Sequence, residues 1–240
     1  MRKRCEDILK RGRTIIVALL VVIIGVYGYL NSFKLKEIKV SECEYADEEL
    51  IAAVVENKAF ADNTLALILG CKLKPIEGVQ FVDKLEIDFL SKNTVSVTVY
   101  EKALAGCVEY MNSYIYFDKD GIVLESSMEM VPGVPFIKGL EFDSWEVGKK
   151  LPIEDERRFK AILNVTQLIE KYELDIDGIK FTASNELVLT HDKITIELGE
   201  GEYLEIQMMN LGSILEGLEG KEGTLNMKDF DSDNATASFK

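Results

Sequence analysis

Three short stretches hold side chains whose types and spacing could do chemistry. The first is FDKDGIVLE at 117–125, where Asp118 and Asp120 stand one residue apart, Gly121 follows and Glu125 lies further on. This outlines half a calcium loop or a pair of catalytic acids. Register tests the calcium reading. With Gly121 at the sixth loop position, Asp118 and Asp120 take the third and fifth, Tyr116 falls at the first and Ser127 at the twelfth. The first ligand and the bidentate glutamate are then both missing. Asp-Lys-Asp-Gly between two strand-like runs reads instead as a tight turn, with the glycine taking positive φ. The second stretch is Glu154-Asp155-Glu156. Acids in a first helical turn complement the helix dipole, so this trio reads as a helix start. The third is His191, the single histidine, in Leu-Thr-His-Asp-Lys-Ile. A histidine-activated nucleophile needs a partner, and neither a GxSxG-like elbow nor an active-cysteine signature accompanies it. One histidine also makes a poor transition-metal site. The cysteines are Cys5, Cys43, Cys71 and Cys107, with no CxxC pair. Beyond Cys5 three remain, so at most one bridge can form, and small buried or half-buried thiols are the expectation. No catalytic residue, metal ligand or cofactor is expected.

The elements around these residues are legible from patterning. Thr14 to Phe33 carries no charged side chain, and Ile15–Ile24 reads IIVALLVVII. This predicts an uncleaved transmembrane helix over 14–33. Residues 1–13 hold Arg2, Lys3, Arg4, Lys10, Arg11 and Arg13 against Glu6 and Asp7, whereas the whole chain has 28 basic and 42 acidic residues. A basic N-terminal flank predicts a cytoplasmic tail at 1–13, a single-pass type II orientation and an extracytoplasmic remainder. That remainder is acidic and lacks a basic, aromatic-laced stripe, which excludes nucleic acid as a partner.

From 34 to 101 the pattern is β-α-α-β-β. FKLKEIKV alternates as a strand, Leu50, Ile51, Val54 and Val55 share a helical face, and a second short helix falls within 63–70. Leu85, Ile87 and Phe89 then alternate, Ser91-Lys92-Asn93 turns, and Val95, Val97 and Val99 alternate again. An antiparallel hairpin with two helices on one face fits this order. From 102 to 240 strands dominate: 105–110, 113–117, 122–125, 136–139, 176–181, 186–189, 193–198, 223–227 and 235–239. Two helices interrupt them, an amphipathic one at 154–172 and one at 203–218. The fold class read from this is α+β, with a mainly antiparallel sheet in the second domain.

This order of parts resembles the bacterial cell-division protein family FtsQ, called DivIB in Gram-positive bacteria. Val97-Thr98-Val99-Tyr100-Glu101-Lys102 is similar to the family's strand ending in a Glu-Arg/Lys pair, where its POTRA domain meets the second domain. Tyr116-Phe117-Asp118-Lys119-Asp120-Gly121 is similar to its (Ile/Phe)-Asp-x-x-Gly motif. Val134-Pro135-Phe136-Ile137-Lys138-Gly139 resembles its Pro-x-hydrophobic-x-Gly segment. Leu198-Gly199, the helix after it and Leu225-Asn226-Met227-Lys228 follow the family's order. The chain departs from the pattern at Ala103-Leu104, where a proline is common, and at Ser41-Glu42-Cys43, where a glycine is common.

The resemblance implies a POTRA domain at 34–101, a partner-binding β domain at 102–240 and a non-enzymatic scaffold of the division complex at the septum. It implies FtsB/DivIC-like and FtsL-like partners and a role in controlling septal peptidoglycan synthesis. In the family a partner strand adds to the edge at the end of the second domain. Carried over, the partner-binding residues are Lys228, Phe230, Ala235, Thr236, Ala237, Ser238 and Phe239. Set against this is a Phe230 packed on its own sheet and a merely solvated Lys228. Two other readings stand beside it, another POTRA-bearing envelope protein and a membrane-anchored cell-wall enzyme.

Overall fold

The computed structural model describes the backbone of residues 2–230 and 236–240; within the first helix it describes the side chains of 13 and 15–30. The chain divides into two compact units, Met1–Glu101 and Lys102–Lys240.

Unit 1 opens with a helix, α1 (Arg2–Leu30). Among the described residues no helix is long and apolar enough to cross a membrane, which overturns the transmembrane helix expected at 14–33. The described apolar run of α1, 15–30, spans roughly 24 Å, short of a hydrocarbon core of roughly 30 Å. Residues 31–33 leave the helix because the fold that follows claims them. Phe33 is 8% exposed, its carbonyl accepts the Thr64 N–H at 2.9 Å, and its ring meets Tyr29 edge-on with centroids 5.3 Å apart. The side chains of the basic tail from Arg2 to Arg11 lie outside the described residues.

Then come β1 (Glu37–Val40), α2 (Glu48–Glu56), α3 (Thr64–Leu73), β2 (Val82–Ser91) and β3 (Thr94–Glu101). The sheet order is β1-β3-β2, with β1 parallel and β2 antiparallel to the central β3. Each short helix is started by a side chain that satisfies orphan amides. Asp47 accepts from Glu49 N and Leu50 N, and Asn63 from Leu65 N and Ala66 N. The alternating residues Leu85, Ile87, Val95 and Val97 form one buried face, on which Ile51, Val55 and Leu67 pack. Glu101 closes the unit: its carboxylate accepts the backbone N–H of Glu44 at 2.7 Å, Tyr45 at 2.7 Å and Ala46 at 2.6 Å.

Unit 2 holds β4 (Gly106–Tyr110), β5 (Ser113–Phe117), β6 (Val123–Ser127), β7 (Phe136–Lys138), α4 (Glu156–Lys171), β8 (Gly178–Phe181), β9 (Leu187–His191), β10 (Ile194–Gly199), α5 (Leu204–Glu216), β11 (Gly223–Asn226) and β12 (Ser238–Phe239). Its nine strands run β12-β11-β10-β9-β8-β7-β4-β5-β6 in one sheet. The sheet is mixed: β10–β11, β7–β8 and β4–β7 are parallel pairs and the rest are antiparallel. The reason is connection length. Helices α4 and α5 sit between β7 and β8 and between β10 and β11, and a helical crossover returns the next strand in the same direction. Both helices share one core with the sheet, centred on Ile162, Val165, Leu189, Ile196, Met208 and Leu211. At the start of the unit, Lys102 Nζ donates to the Leu124 carbonyl at 3.1 Å and pairs with Glu125 at 2.8 Å.

Candidate functional site

The stretches first considered for chemistry have local structural jobs. Asp118 Oδ1 accepts the N–H of Asp120 and of Ile122, each at 2.9 Å. Gly121 has φ +79°, and a Cβ there would lie 2.6 Å from the Phe159 ring. The turn therefore needs glycine for its backbone angle and for the approach of α4. Asp155, from the acidic trio, is the N-cap of α4, accepting from Arg157 N and Arg158 N. His191 ends β9; its Nδ1 stands 3.8 Å from the Asp175 carboxylate, beyond hydrogen-bond reach. Among the described residues no group of three or more His, Cys, Asp and Glu could hold a metal ion. Cys43, Cys71 and Cys107 are free thiols. Burial pushes the Cys107 thiol up to about 12. Burial first, then Glu101 and Glu48, raises Cys43, while burial outweighs nearby Lys58 in raising Cys71. A protonated thiol is a weak nucleophile.

Of the seven residues taken over from the resemblance, the six that are described converge on the β11–β12 end of the nine-stranded sheet, in three different situations. Strand β12 pairs antiparallel with β11 through Leu225↔Phe239 and Asn226↔Ser238. Thr224 and Lys240 exchange both backbone bonds, at 2.9 and 3.0 Å. In an antiparallel ladder alternate residues bond inward, so 238 and 240 face β11. The N–H and C=O of Ala237 and Phe239 consequently point away from it, along the sheet edge. Side chains alternate in the same way. Ala237 and Phe239 pack against the core, whereas Thr236, Ser238 and Lys240 are exposed. Ala235 lies outside the described residues.

Phe230 faces the other way. It is 5% exposed and belongs to the core with Met227 and Leu225. Its N–H bonds the Met227 carbonyl at 3.0 Å, a turn that carries the ring inward. Phe230, carried over as an aromatic contact, thus has most of its surface buried within its own unit. Lys228 is neither free nor simply solvated. Its ammonium lies 2.9 Å from Glu186 and 3.4 Å from Glu197. The hydrogen bond to Glu186 leads in holding its pKa above the ordinary value. Its stem passes over Gly199, where φ is +76° and a Cβ would lie 3.3 Å from Lys228 Cβ.

Two further residues build this edge. Gln207, wholly buried on α5, donates through Nε2 to the carbonyls of Leu198 at 3.1 Å and Met227 at 2.7 Å. It thereby tethers the ends of β10 and β11 to the helix. Its signal was present in the sequence as one amide on the apolar stripe Leu204, Met208, Leu211 and Leu215. Gly223 permits the close pairing of β12: a Cβ there would stand 2.2 Å from the Lys240 carbonyl oxygen. No protein-family model and no curated protein matches the chain.

Proposed function

We propose that this chain is a non-enzymatic scaffold of the FtsQ/DivIB kind, acting on the outer side of the cell membrane at the division septum. Its second unit captures a strand of an FtsB/DivIC-like partner, in a complex that includes an FtsL-like protein, and so bears on septal peptidoglycan synthesis. The observation that carries this reading is β12, a short strand at the sheet edge among the described residues, with backbone groups of Ala237 and Phe239 directed outward. An unpaired edge offers a ladder to an incoming strand, and side chains beside it supply selectivity. The exposed Ser238 on β12, and Lys228 just past the end of β11 with its carboxylate partners Glu186 and Glu197, are the polar groups that would make that selection.

Ala237→Pro tests the reading directly. Proline removes the outward N–H of residue 237 and leaves the bonds of 238 and 240 to β11 in place. The variant is expected to keep its melting temperature and to lose affinity for a DivIC-like partner by at least about tenfold in titration calorimetry, the scale of one or two lost hydrogen bonds. Undiminished affinity would remove β12 from the site. In cells, depletion of the protein should give filaments with blocked septa; normal septation would refute the division role.

A further inference from the structure

Helix α3 in unit 1 is apolar on both sides. Leu67 faces inward and is buried, while Leu65, Leu69 and Leu73, at positions i, i+4 and i+8, are 37%, 61% and 79% exposed. Phe60, also exposed, lies alongside: a Cβ at Gly70 would be 3.5 Å from its ring. A helix apolar all round is ordinarily buried, and a contiguous apolar surface of this kind marks an interaction site. Lysines flank the stripe at both ends, Lys58 on one side and Lys72 and Lys74 on the other, and among the described residues none of them forms an ion pair. Asp62 is the single acid between 57 and 75, in a chain of net charge −14. The first turn of α3 also adjoins the end of α1. Asn63 Nδ2 donates to the Leu30 carbonyl at 2.8 Å, which ties the end of α1, with its exposed Leu30, to the N-cap of α3.

We propose that α3 lies flat on an anionic lipid surface, with Phe60, Leu65, Leu69 and Leu73 at the boundary between headgroups and acyl chains and Lys58, Lys72 and Lys74 on the phosphates. The stripe lies along one face of a single helix, and the lysines at its two ends have flexible stems that let their ammonium groups reach phosphates while the leucines meet the acyl boundary. Lysines near an anionic leaflet add attraction that salt weakens. A docked protein would be expected to meet this acidic chain with basic groups, whereas the cations here call for an anion.

The test uses the full chain with Leu69→Trp, read against Tyr100→Trp, exposed on the sheet face opposite to that of Val95 and Val97, and the native Trp145 background. With phosphatidylglycerol vesicles carrying acyl chains brominated near the headgroup, emission from position 69 is expected to fall about twofold while position 100 changes little, since bromine quenches only at short range and an interfacial helix buries its apolar face at the headgroup–acyl boundary. Phosphatidylcholine vesicles, or the triple change Lys58→Glu, Lys72→Glu and Lys74→Glu, should reduce that quenching several-fold. Equal quenching at 69 and 100, or none at either, overturns the proposal. Quenching at 69 that persists in phosphatidylcholine and in the triple variant overturns the role of the anionic headgroups. A vesicle-independent blue shift at 69 that grows with protein concentration, without quenching, assigns the stripe to a second copy and likewise overturns it.

Discussion

Phe230 shows how one residue changes role once its surroundings are visible. An aromatic beside a lysine near a sheet edge looks like a contact pair, yet the ring fills the core and the lysine is held by Glu186 and Glu197. Phe230→Ala should therefore act on stability before it acts on binding. Removing a buried phenylalanine side chain leaves a cavity, and an expected loss of about 3–5 kcal/mol is measurable by urea unfolding. A loss below about 0.5 kcal/mol would contradict the burial. Lys228→Glu would set a third carboxylate among two. A drop in partner affinity would then have to be separated from local rearrangement of β11 by comparing it with Lys228→Met, which removes the charge without adding repulsion.

At the scale of elements, the edge depends on how closely β12 can lie against β11. Gly223→Ala places a methyl against the Lys240 carbonyl, so β12 must shift or detach. The expected outcome is a loss of amide-exchange protection at Ser238 and Lys240, with weakened partner binding and little change in the far strands β4–β6. Unchanged protection at these two amides would show that the strand tolerates the methyl. Helix α5 supports the same edge through Gln207. Its amide substitutes for ladder bonds where the parallel strands β10 and β11 end, which is why a polar residue is retained within an apolar stripe.

At the scale of the molecule, each unit carries its own core, and neighbouring residues at the division between them serve different units. Glu101 accepts three loop amides of unit 1, while Lys102 binds Leu124 and Glu125 of unit 2. Global stability should fall in alkali. Burial, followed by opposing and reinforcing smaller effects, raises Tyr116 to about 12 from its ordinary 10.0, and burial raises Cys107 to about 12 from 9.0. Raised folded-state values mean that the folded chain holds these protons longer than the unfolded one. Their contribution is complete below pH 9 and is lost as pH climbs through 9 and 10 to about 12. Equilibrium urea midpoints for unit 2 should decline across that window, and Cys107→Ala should flatten the part of the decline that starts near 9. A midpoint constant to pH 11 would be inconsistent with the buried groups.

Local pattern was enough wherever it stands for a local force. The alternation of Leu85, Ile87 and Phe89, the apolar stripe of 154–172, and the turn at Asp118–Gly121 each encode an element through period or turn chemistry, and strands, helix and turn stand there in the structure. Helix limits were less legible because a cap and a claim by neighbouring structure look alike in one dimension: Asp155 caps α4 rather than joining it, and Phe33 leaves α1 to be buried in the next fold. Strand direction was legible only where a short turn joins two strands, as in the antiparallel β2–β3 hairpin. The parallel pairs β7–β8 and β10–β11 follow from where α4 and α5 return the chain, and β12 stands last in the sheet order among the described residues because β11 is placed next to last by that return. The side on which Phe230 packs, the two carboxylates that hold Lys228 and the exposure of the α3 leucines were likewise decided in three dimensions. A hydrophobic or charged residue announces what it can do, but only its neighbours across the fold determine whether that capacity is already used.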